Sequence, residues 1–210
     1  MFVRDIMTRN PITLRPESDP LAAIGLMNVA GFRHLPVLDT EGRLVGIVGR
    51  TDVELFLSKA GSPGVIKRNH RVDRLMKRDV VFVTPDCPLE EAATLMVNNK
   101  IGSLPVVEDG RLVGIITETD VFKRFAAILG GGTDSFRLTV QLDNIPGQFA
   151  ELATRIARVN GNISCVVTYP TDQPGRINTM LRVEGVDRQT VLAVLGDLPG
   201  LEVLYPFSCG

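Results

Sequence analysis

Two side chains that could bind a polar ligand follow an apolar strand near the middle of the chain. Thr117 and Asp120 come directly after the apolar run 114–116 and before the amphipathic segment Val121 to Leu129. A threonine at a helix N-cap and an acid at the third helical position form a capping box, which satisfies amides that the helix leaves unpaired. The same hydroxyl, carboxylate and amides could instead contact the ribose and phosphates of a nucleotide. Considered alone, the stretch favours the capping box over the ligand contact.

The same stretch occurs earlier in the chain, as part of an internal repeat. Gly46 to Asp52 corresponds to Gly114 to Asp120, with Gly49 in place of Thr117. Each copy of about sixty residues is marginal as a separate core, so two copies packed together are predicted. Three further segments recur 69 residues later: Val3 to Met7 as Val72 to Met76, Met27 as Met96, and Leu35 to Val37 as Leu104 to Val106.

Both copies predict the same order of elements. A short strand (Ile12 to Leu14; Val80 to Val83) precedes a helix, and two strands joined by an acidic glycine turn lead into a closing helix. In the second copy, Cys87 is the candidate N-cap and Pro88 the first helical residue. A thiol at a helix N-terminus has a lowered pKa, although no base is evident beside Cys87.

The composition excludes several classes of protein. With 210 residues, 44% hydrophobic, 22% charged and a net charge of −1, the chain lacks the broad basic face that nucleic acid demands. No basic leader or bilayer-length apolar run appears, so no membrane association is predicted. Cys87, Cys165 and Cys209 lack the spacing of a disulfide framework or metal site, which favours a cytoplasmic protein.

Both copies resemble CBS motifs. The resemblance rests on Met7 and Met76, the Leu-Pro-Val strands, the Gly-Ile-Val and Gly-Ile-Ile strands, and the closing Asp52 and Asp120. Together, residues 1 to 129 resemble a Bateman module, in which two CBS motifs pack about a pseudo-twofold axis. The resemblance implies a regulatory ligand in the clefts between the motifs, either an adenine nucleotide (AMP, ADP or ATP) or S-adenosylmethionine.

The resemblance assigns the ribose contact to the closing turns. Thr117 and Asp120 offer a hydroxyl and a carboxylate to the ribose diol, and Asp52 is the corresponding acid of the first copy. Gly49 stands where that copy's hydroxyl belongs; glycine still serves as an N-cap, but half of the ribose contact is lost. We therefore expect one site built mainly on Thr117 and Asp120, and a weaker or empty cleft at Gly49.

The remaining implied contacts come from the strands. The early strand, with Val80 and Val81, offers its backbone to the adenine, and the basic residues Arg33 and His34 precede the Pro-Val strand and meet phosphate. A solvated loop charge at Arg33 and a satisfied, partly buried ring at His34 are the alternative interpretations. The implied nucleotide-binding residues are Thr117, Asp120, Val80, Val81, Pro105, Arg33, His34 and Asp52.

The C-terminal segment, after a Gly-rich linker, has a pattern of its own. Residues from Phe136 to Leu142 alternate between apolar and polar, which indicates a strand with one buried and one solvent-facing side. The order of elements is βαββαβ, that of a ferredoxin-like domain. The other predicted elements are a helix with Phe149, Leu152, Ala153 and Ile156 on one face, strands at Ile163 to Tyr169 and Ile177 to Val183, a helix at Arg188 to Leu195 and a strand at Leu201 to Tyr205.

This segment resembles an ACT domain, through residues 143–147 at the first turn and 160–163 before the second strand. The resemblance implies a small amino acid bound at a domain interface, where the amides of Asn144 and Asn162 offer a donor and an acceptor together. Asn and Gly also permit tight turns, and Pro146 can start a helix, so a structural role is equally open. The implied ligand residues are Asn144, Ile145, Pro146, Gly147, Gly161, Asn162 and Ile163.

The order of these domains resembles that of the acetoin-utilisation AcuB-like group of stand-alone regulators. The sequence thus predicts an α+β protein with CBS motifs at 1–57 and 72–129, linkers at 58–71 and 130–134, and an ACT domain at 135–210. We predict a non-catalytic, homodimeric sensor, without a metal or catalytic cofactor, that transmits ligand binding to a protein partner. A ligand-free dimerisation module and a nucleotide-processing enzyme are the alternatives; no Gly-x-Ser-x-Gly or Walker-type loop supports the enzyme.

Overall fold

Two compact units make up the protein. The computed structural model describes residues 1–59, 70–130 and 133–204; most of the predicted linker 58–71, part of the linker 130–134, Tyr205 and Cys209 lie outside these residues. The N-terminal unit comprises Met1–Phe122 and the C-terminal unit Lys123–Gly210. No helix in the described ranges combines the length and the apolar character that crossing a bilayer requires.

The N-terminal unit contains two copies of one element order. The first repeat has a 3-10 turn (Val3–Asp5), β1 (Thr8–Arg9), α1 (Pro20–Ala30), β2 (His34–Leu38), β3 (Leu44–Gly49) and α2 (Arg50–Lys59). The second repeat has a 3-10 turn (Val72–Arg74), α3 (Leu89–Asn99), β4 (Ser103–Glu108), β5 (Arg111–Thr117) and α4 (Glu118–Ile128), which continues into the C-terminal unit. The repeat in the sequence is therefore a repeat in structure.

Each repeat contributes its leading segment to the other. β1 of the first repeat pairs with β5 of the second, which gives a sheet ordered β1-β5-β4. In return, Lys77 pairs with Ile47 of β3, and the two residues exchange backbone N–H···O bonds of 2.9 Å. Val72 and Met76 complete the buried core of the first repeat. The two repeats are therefore interlocked, and the first core depends on side chains from the second repeat.

The two predicted early strands are wrong in extent. Leu14 forms a single parallel bridge with Val37, and Val83 forms the equivalent bridge with Val106. Neither bridge extends into a strand within the described residues. Pro11 and Pro16 flank Leu14, and Pro85 follows Val83; a proline has no N–H to extend a ladder.

The second repeat's first helix begins later than predicted. Pro88 is its N-cap, with extended backbone (φ −57°, ψ 142°), and Leu89 is the first helical residue, so Cys87 lies outside the helix. The carbonyl of Cys87 accepts the N–H of Val3, and its own N–H donates to the Thr84 carbonyl. Burial and two neighbouring glutamates raise the pKa of the Cys87 thiol, which is opposite to the lowering predicted for an N-cap thiol.

The C-terminal unit has the βαββαβ order that the sequence predicts. The elements are β6 (Phe136–Asp143), α5 (Gln148–Arg158), β7 (Asn162–Tyr169), β8 (Arg176–Glu184), α6 (Arg188–Leu195) and β9 (Leu201–Leu204). The antiparallel sheet is ordered β7-β8-β6-β9, with α5 and α6 packed on one face, which is the ferredoxin-like arrangement. The bounds of α6 are those predicted.

The prediction of a solvent-facing side on β6 holds for Arg137, which is exposed, but is wrong for Thr139 and Gln141. Thr139 and Gln141, which alternate with the core residues of this strand, are only 9% and 5% exposed. β6 is a central strand with β8 on one side and β9 on the other, and side chains of Thr171 and Asn178 contact that of Gln141. The Gln141 amide donates to the Thr171 hydroxyl (3.0 Å), as a buried polar group requires.

Candidate functional site

Hydrogen bonds at the start of α4 form the predicted capping box. The Thr117 N–H donates to Asp120 Oδ2 (2.9 Å), the Asp120 N–H donates to Thr117 Oγ1 (3.3 Å), and the threonine hydroxyl donates to the same carboxylate (2.7 Å). In the first repeat, the Gly49 N–H donates to Asp52 Oδ2 (3.2 Å). Both acids therefore fix the start of a helix, and the first repeat keeps only the backbone part of the box.

Residues of both repeats line one cleft of the N-terminal unit, which we call the His34 cleft. It forms because the pairing of Lys77 with Ile47 carries the following residues, Val80 and Val81, alongside β3 and the start of α2. The cleft has a cavity volume of about 130 Å³. Its lining residues are His34, Ile47, Gly49, Asp52, Lys77, Asp79, Val80, Val81, Lys100, Ile101, Gly102 and Ser103.

The His34 cleft brings together part of the predicted nucleotide-binding set. His34, Asp52, Val80 and Val81 all line it. Arg33, the residue before β2, is exposed, and its carbonyl accepts the N–H of Arg50.

The other predicted nucleotide-binding residues lie elsewhere in the unit. Pro105 is buried in β4, where its carbonyl accepts the N–H of Val83. Thr117 ends β5 and Asp120 lies in the first turn of α4, both outside the lining of the His34 cleft.

Several lining residues lie outside the predicted nucleotide-binding set. Lys77, Asp79 and Lys100 bring charge to the cleft, and Gly102 and Ser103 form its wall at the start of β4. The repeat could have identified Gly102 and Ser103, since they occupy the positions that Arg33 and His34 have in the first copy. Lys77 belongs to a basic run between Lys59 and Arg78, which predicts either a solvated linker or added positive potential near a phosphate site. Lys100 carries no such signal.

Two glycines keep space open around the His34 ring. A Cβ atom on Gly49 would lie 2.9 Å from Asp52 Oδ2 and 3.5 Å from the ring. A Cβ on Gly102 would lie 3.5 Å from the other side of the ring and 2.6 Å from Glu118 Oε1. A larger residue at either position would therefore fill space beside the imidazole.

The charges of the cleft suit a ligand that carries both hydroxyls and anionic oxygens. Lys77 Nζ lies 3.9 Å from Asp52 Oδ2, and both side chains are partly exposed. Lys77 and Lys100 can attract phosphate or carboxylate oxygens, while the carboxylate of Asp52 can accept from hydroxyls. Within the described residues, no cluster of His, Cys, Asp and Glu is arranged to hold a metal ion.

The imidazole of His34 is held in its neutral form. Burial lowers its pKa from the ordinary value of 6.5, and the charge of Arg33 lowers it further; Asp52 and Glu118 act in the opposite direction, and Lys77 lowers it again. Near pH 7 the ring is therefore uncharged and has both a donor and an acceptor nitrogen.

This lowered pKa predicts a loss of stability in mild acid. Because the unfolded chain takes up a proton at His34 more readily than the folded chain, the free energy of unfolding falls as pH drops below about 6.5. His34→Gln removes this titration, so its urea midpoint is expected to fall less than that of the wild type between about pH 7.5 and pH 5. The prediction would be contradicted if the urea midpoints of the two proteins fell equally between these pH values.

The predicted amino-acid ligand residues occupy two ends of the C-terminal sheet. The set 144–147 follows β6, and the set 161–163 opens β7. β8 pairs with both strands, and its residues Arg176 and Glu184 lie opposite Asp143 and Asn162. Eight residues of strand separate them, which is about 26 Å. The two sets are not brought together within one chain.

The two predicted amides have different surroundings. Asn144 lines a cavity of about 370 Å³ at the β7–β8 hairpin, with Tyr169 and Arg176, whereas the Asn162 amide donates to Glu184 Oε1 (2.7 Å). A Cβ on Gly161 would lie 2.7 Å from Ile156 Cγ2, so packing alone requires glycine there.

The N-terminal unit is similar to proteins of known family. The CBS domain family model matches residues 3–59 and 72–127, which is more than half of the chain. Protein MJ1225 of Methanocaldococcus jannaschii is 39% identical over 135 residues, which are 59% of this chain and 47% of the relative. The chain thus spans less than half the length of that curated relative.

Solved structures show the same fold over the same part of the chain. The CBS domain pair of protein MJ0100, in complex with 5-methylthioadenosine and S-adenosylmethionine, is 29% identical with a TM-score of 0.54, covering 60% of this chain and 97% of that one. CBSX2 in complex with AMP is 30% identical with a TM-score of 0.53, covering 60% and 97%. A candidate acetoin utilization protein (AcuB) of Vibrio cholerae is 35% identical with a TM-score of 0.54, covering 62% and 93%. The chain belongs to the CBS domain family.

Proposed function

We propose that the protein is a regulatory sensor that binds an adenosyl ligand, an adenine nucleotide or S-adenosylmethionine, in the His34 cleft. The observation that carries this proposal is the meeting of Asp52, Lys77 and Lys100 with Val80 and Val81 in one cleft between the two repeats. Two structural neighbours that bind adenosyl ligands, the MJ0100 pair and CBSX2, support it.

In the proposed pose, each part of the ligand meets a matching group. Asp52 accepts hydrogen bonds from the ribose hydroxyls, and the backbone at Val80 and Val81 meets the polar edge of the adenine. Lys77 and Lys100 neutralise phosphate oxygens or the carboxylate of S-adenosylmethionine. The neutral ring of His34 fits between these parts without adding a buried charge.

A second ribose site at Thr117 and Asp120 remains part of the proposal. This turn carries the hydroxyl that Gly49 lacks, although hydrogen bonds of the capping box engage both side chains. A ribose hydroxyl would then share the Asp120 carboxylate with the Thr117 hydroxyl, which is compatible with the several lone pairs of that group.

The ligand would regulate by changing how the repeats pack. Because the two repeats are interlocked, a ligand that contacts both favours one relative arrangement of them by its difference in affinity. We propose that a homodimer transmits this change to a protein partner, and that an amino acid bound near Asn144 or Asn162 adds a second input. No chemical step is required of the protein.

Calorimetric titration of the full chain with AMP, ADP, ATP and S-adenosylmethionine tests the function. We expect saturable binding of at least one of them, with the ligand recovered unchanged after incubation. Absence of heat with all four would favour a ligand-free dimerisation module. A product detected by chromatography would favour a nucleotide-processing enzyme.

A further inference from the structure

A cavity on the face of the C-terminal sheet opposite α5 and α6 contains two arginines and no acid. It lies between the end of α4 and the sheet, has a volume of about 300 Å³, and is lined by Ala126, Leu129, Arg137, Val167, Tyr169, Met180 and Arg182. All seven residues belong to the C-terminal unit. The cavity is separate from the His34 cleft and from the predicted amino-acid ligand residues.

The strand register places the two arginines directly side by side. Arg137 of β6 pairs with Arg182 of β8, so their side chains emerge on the same face from adjacent strands. Like charges in directly opposite positions destabilise an antiparallel pair. The fold therefore gains nothing from this pairing, and an anion would relieve the repulsion.

Neither guanidinium is neutralised in the part of the chain that is described. Arg182 donates to two backbone carbonyls, those of Leu129 (3.1 Å) and Ser135 (3.3 Å), and these hydrogen bonds hold it in place without cancelling its charge. Arg137 donates no side-chain hydrogen bond and forms no ion pair with any described residue. One arginine is thus fixed and the other is free to close on a ligand.

The rest of the lining is mostly apolar. Val167 and Met180 come from the sheet and Ala126 and Leu129 from the end of α4, while the phenol of Tyr169 adds a donor at the rim. A guanidinium pair matches a carboxylate in shape and charge. A volume near 300 Å³ is at the small end of ligand sites.

We propose that this cavity binds a small organic carboxylate with an apolar body, held by Arg137, Arg182 and Tyr169. The carboxylate lies between the two guanidinium groups, and the apolar body packs on Met180 and Leu129. This site does not depend on the proposed nucleotide function, since none of its residues lines the His34 cleft.

Methionine methyl signals provide a local readout for binding. Of the six methionines, Met180 is the one that follows residue 96, so in ¹³C-methyl-methionine protein its resonance reports on this cavity. We expect 4-methylpentanoate to shift the Met180 signal saturably and leave the other five in place. The uncharged 4-methylpentanamide is expected to give no shift, and inorganic phosphate to bind at least tenfold more weakly.

A pair of variants tests the location. Arg137→Gln should weaken 4-methylpentanoate at least tenfold, whereas Arg158→Gln, which removes the same charge from an exposed position of α5, should leave the affinity unchanged. The proposal would be overturned if 4-methylpentanamide or phosphate bound as tightly as 4-methylpentanoate, or if the Met180 signal did not shift. It would also be overturned if Arg137→Gln and Arg158→Gln changed the affinity equally.

Discussion

Asp52→Asn is expected to weaken the binding of the adenosyl ligand about 10- to 100-fold, because the side chain then offers one acceptor oxygen to the ribose diol and loses its charge. Hydrogen bonds to a charged group contribute about 1.5–3 kcal/mol, which corresponds to this range of affinity. Asparagine can still accept the Gly49 N–H, so the start of α2 is preserved. Titration calorimetry with the ligand identified in the screen measures the change.

The matched variant Asp120→Asn shows which of the two closing turns, that of Asp52 or that of Asp120, contacts the ligand. Asp120→Asn should leave the affinity of the His34 cleft within about twofold of the wild type and should weaken binding only at the proposed second site beside Thr117. A loss confined to Asp120→Asn would place the ribose at the Thr117 turn, as the sequence favours. Glu54→Gln, which removes an exposed carboxylate from the same helix as Asp52, controls for net charge and should have no effect.

Thermal unfolding distinguishes a lost ligand contact from a damaged fold. Each asparagine variant keeps an acceptor for the capping amide, so its melting temperature without ligand should stay close to that of the wild type. A variant that melts early and binds weakly would indicate that its acid acts mainly as a cap. The comparison therefore decides between the two interpretations that the sequence left open at Thr117 and Asp120.

The sequence predicts which helices and strands form better than it predicts which segments pair with one another. Apolar periodicity and the repeat are local properties, and they identify α6 with its observed bounds and place the closing helices behind Gly49 and Thr117. In a tandem repeat, however, a leading segment has two equivalent strands to pair with, one in each copy. The local pattern is the same in both cases, so it does not reveal that Val80 and Val81 lie beside Asp52.

Burial on β6 was unpredictable for a related reason. Alternation along a strand indicates which residues share a face, but it does not say whether anything covers that face. Gln141 and Thr139 lie between two flanking strands and are buried. Likewise, Arg137 and Arg182 are 45 residues apart in sequence, and the β6–β8 register alone makes them neighbours.

Gly46→Ala is expected to lower the free energy of unfolding by about 1–3 kcal/mol, the usual cost of overpacking a core. A Cβ on Gly46 would lie 2.6 Å from Met76 Sδ and 3.1 Å from the Lys77 carbonyl oxygen. The methionine can rotate away, but the carbonyl belongs to the backbone pair with Ile47. Urea unfolding measures the loss, and Gly25→Ala, at a helical position with open space, should be neutral or slightly stabilising.

The double variant Gly46→Ala with Met76→Ala tests the cause. Removing the methionine side chain frees the space that the new methyl group needs, so the combined loss should be smaller than the sum of the single losses by at least about 0.5 kcal/mol. Strict additivity would mean that the contact between the repeats does not limit this position.

Gly114→Ala is the symmetry-related comparison, because a Cβ there would lie 2.6 Å from Met7 Sδ and 3.1 Å from the Thr8 carbonyl oxygen. We expect a similar loss of stability from it. The two variants should differ in ligand binding, since the segment that Gly46 supports continues into Val80 and Val81, whereas the segment beside Gly114 does not line the His34 cleft. Gly46→Ala should therefore bind the adenosyl ligand more weakly than Gly114→Ala does, under conditions where both proteins are folded. Equal affinities of the two variants would argue that the cleft does not depend on the pairing of each leading segment with the other repeat.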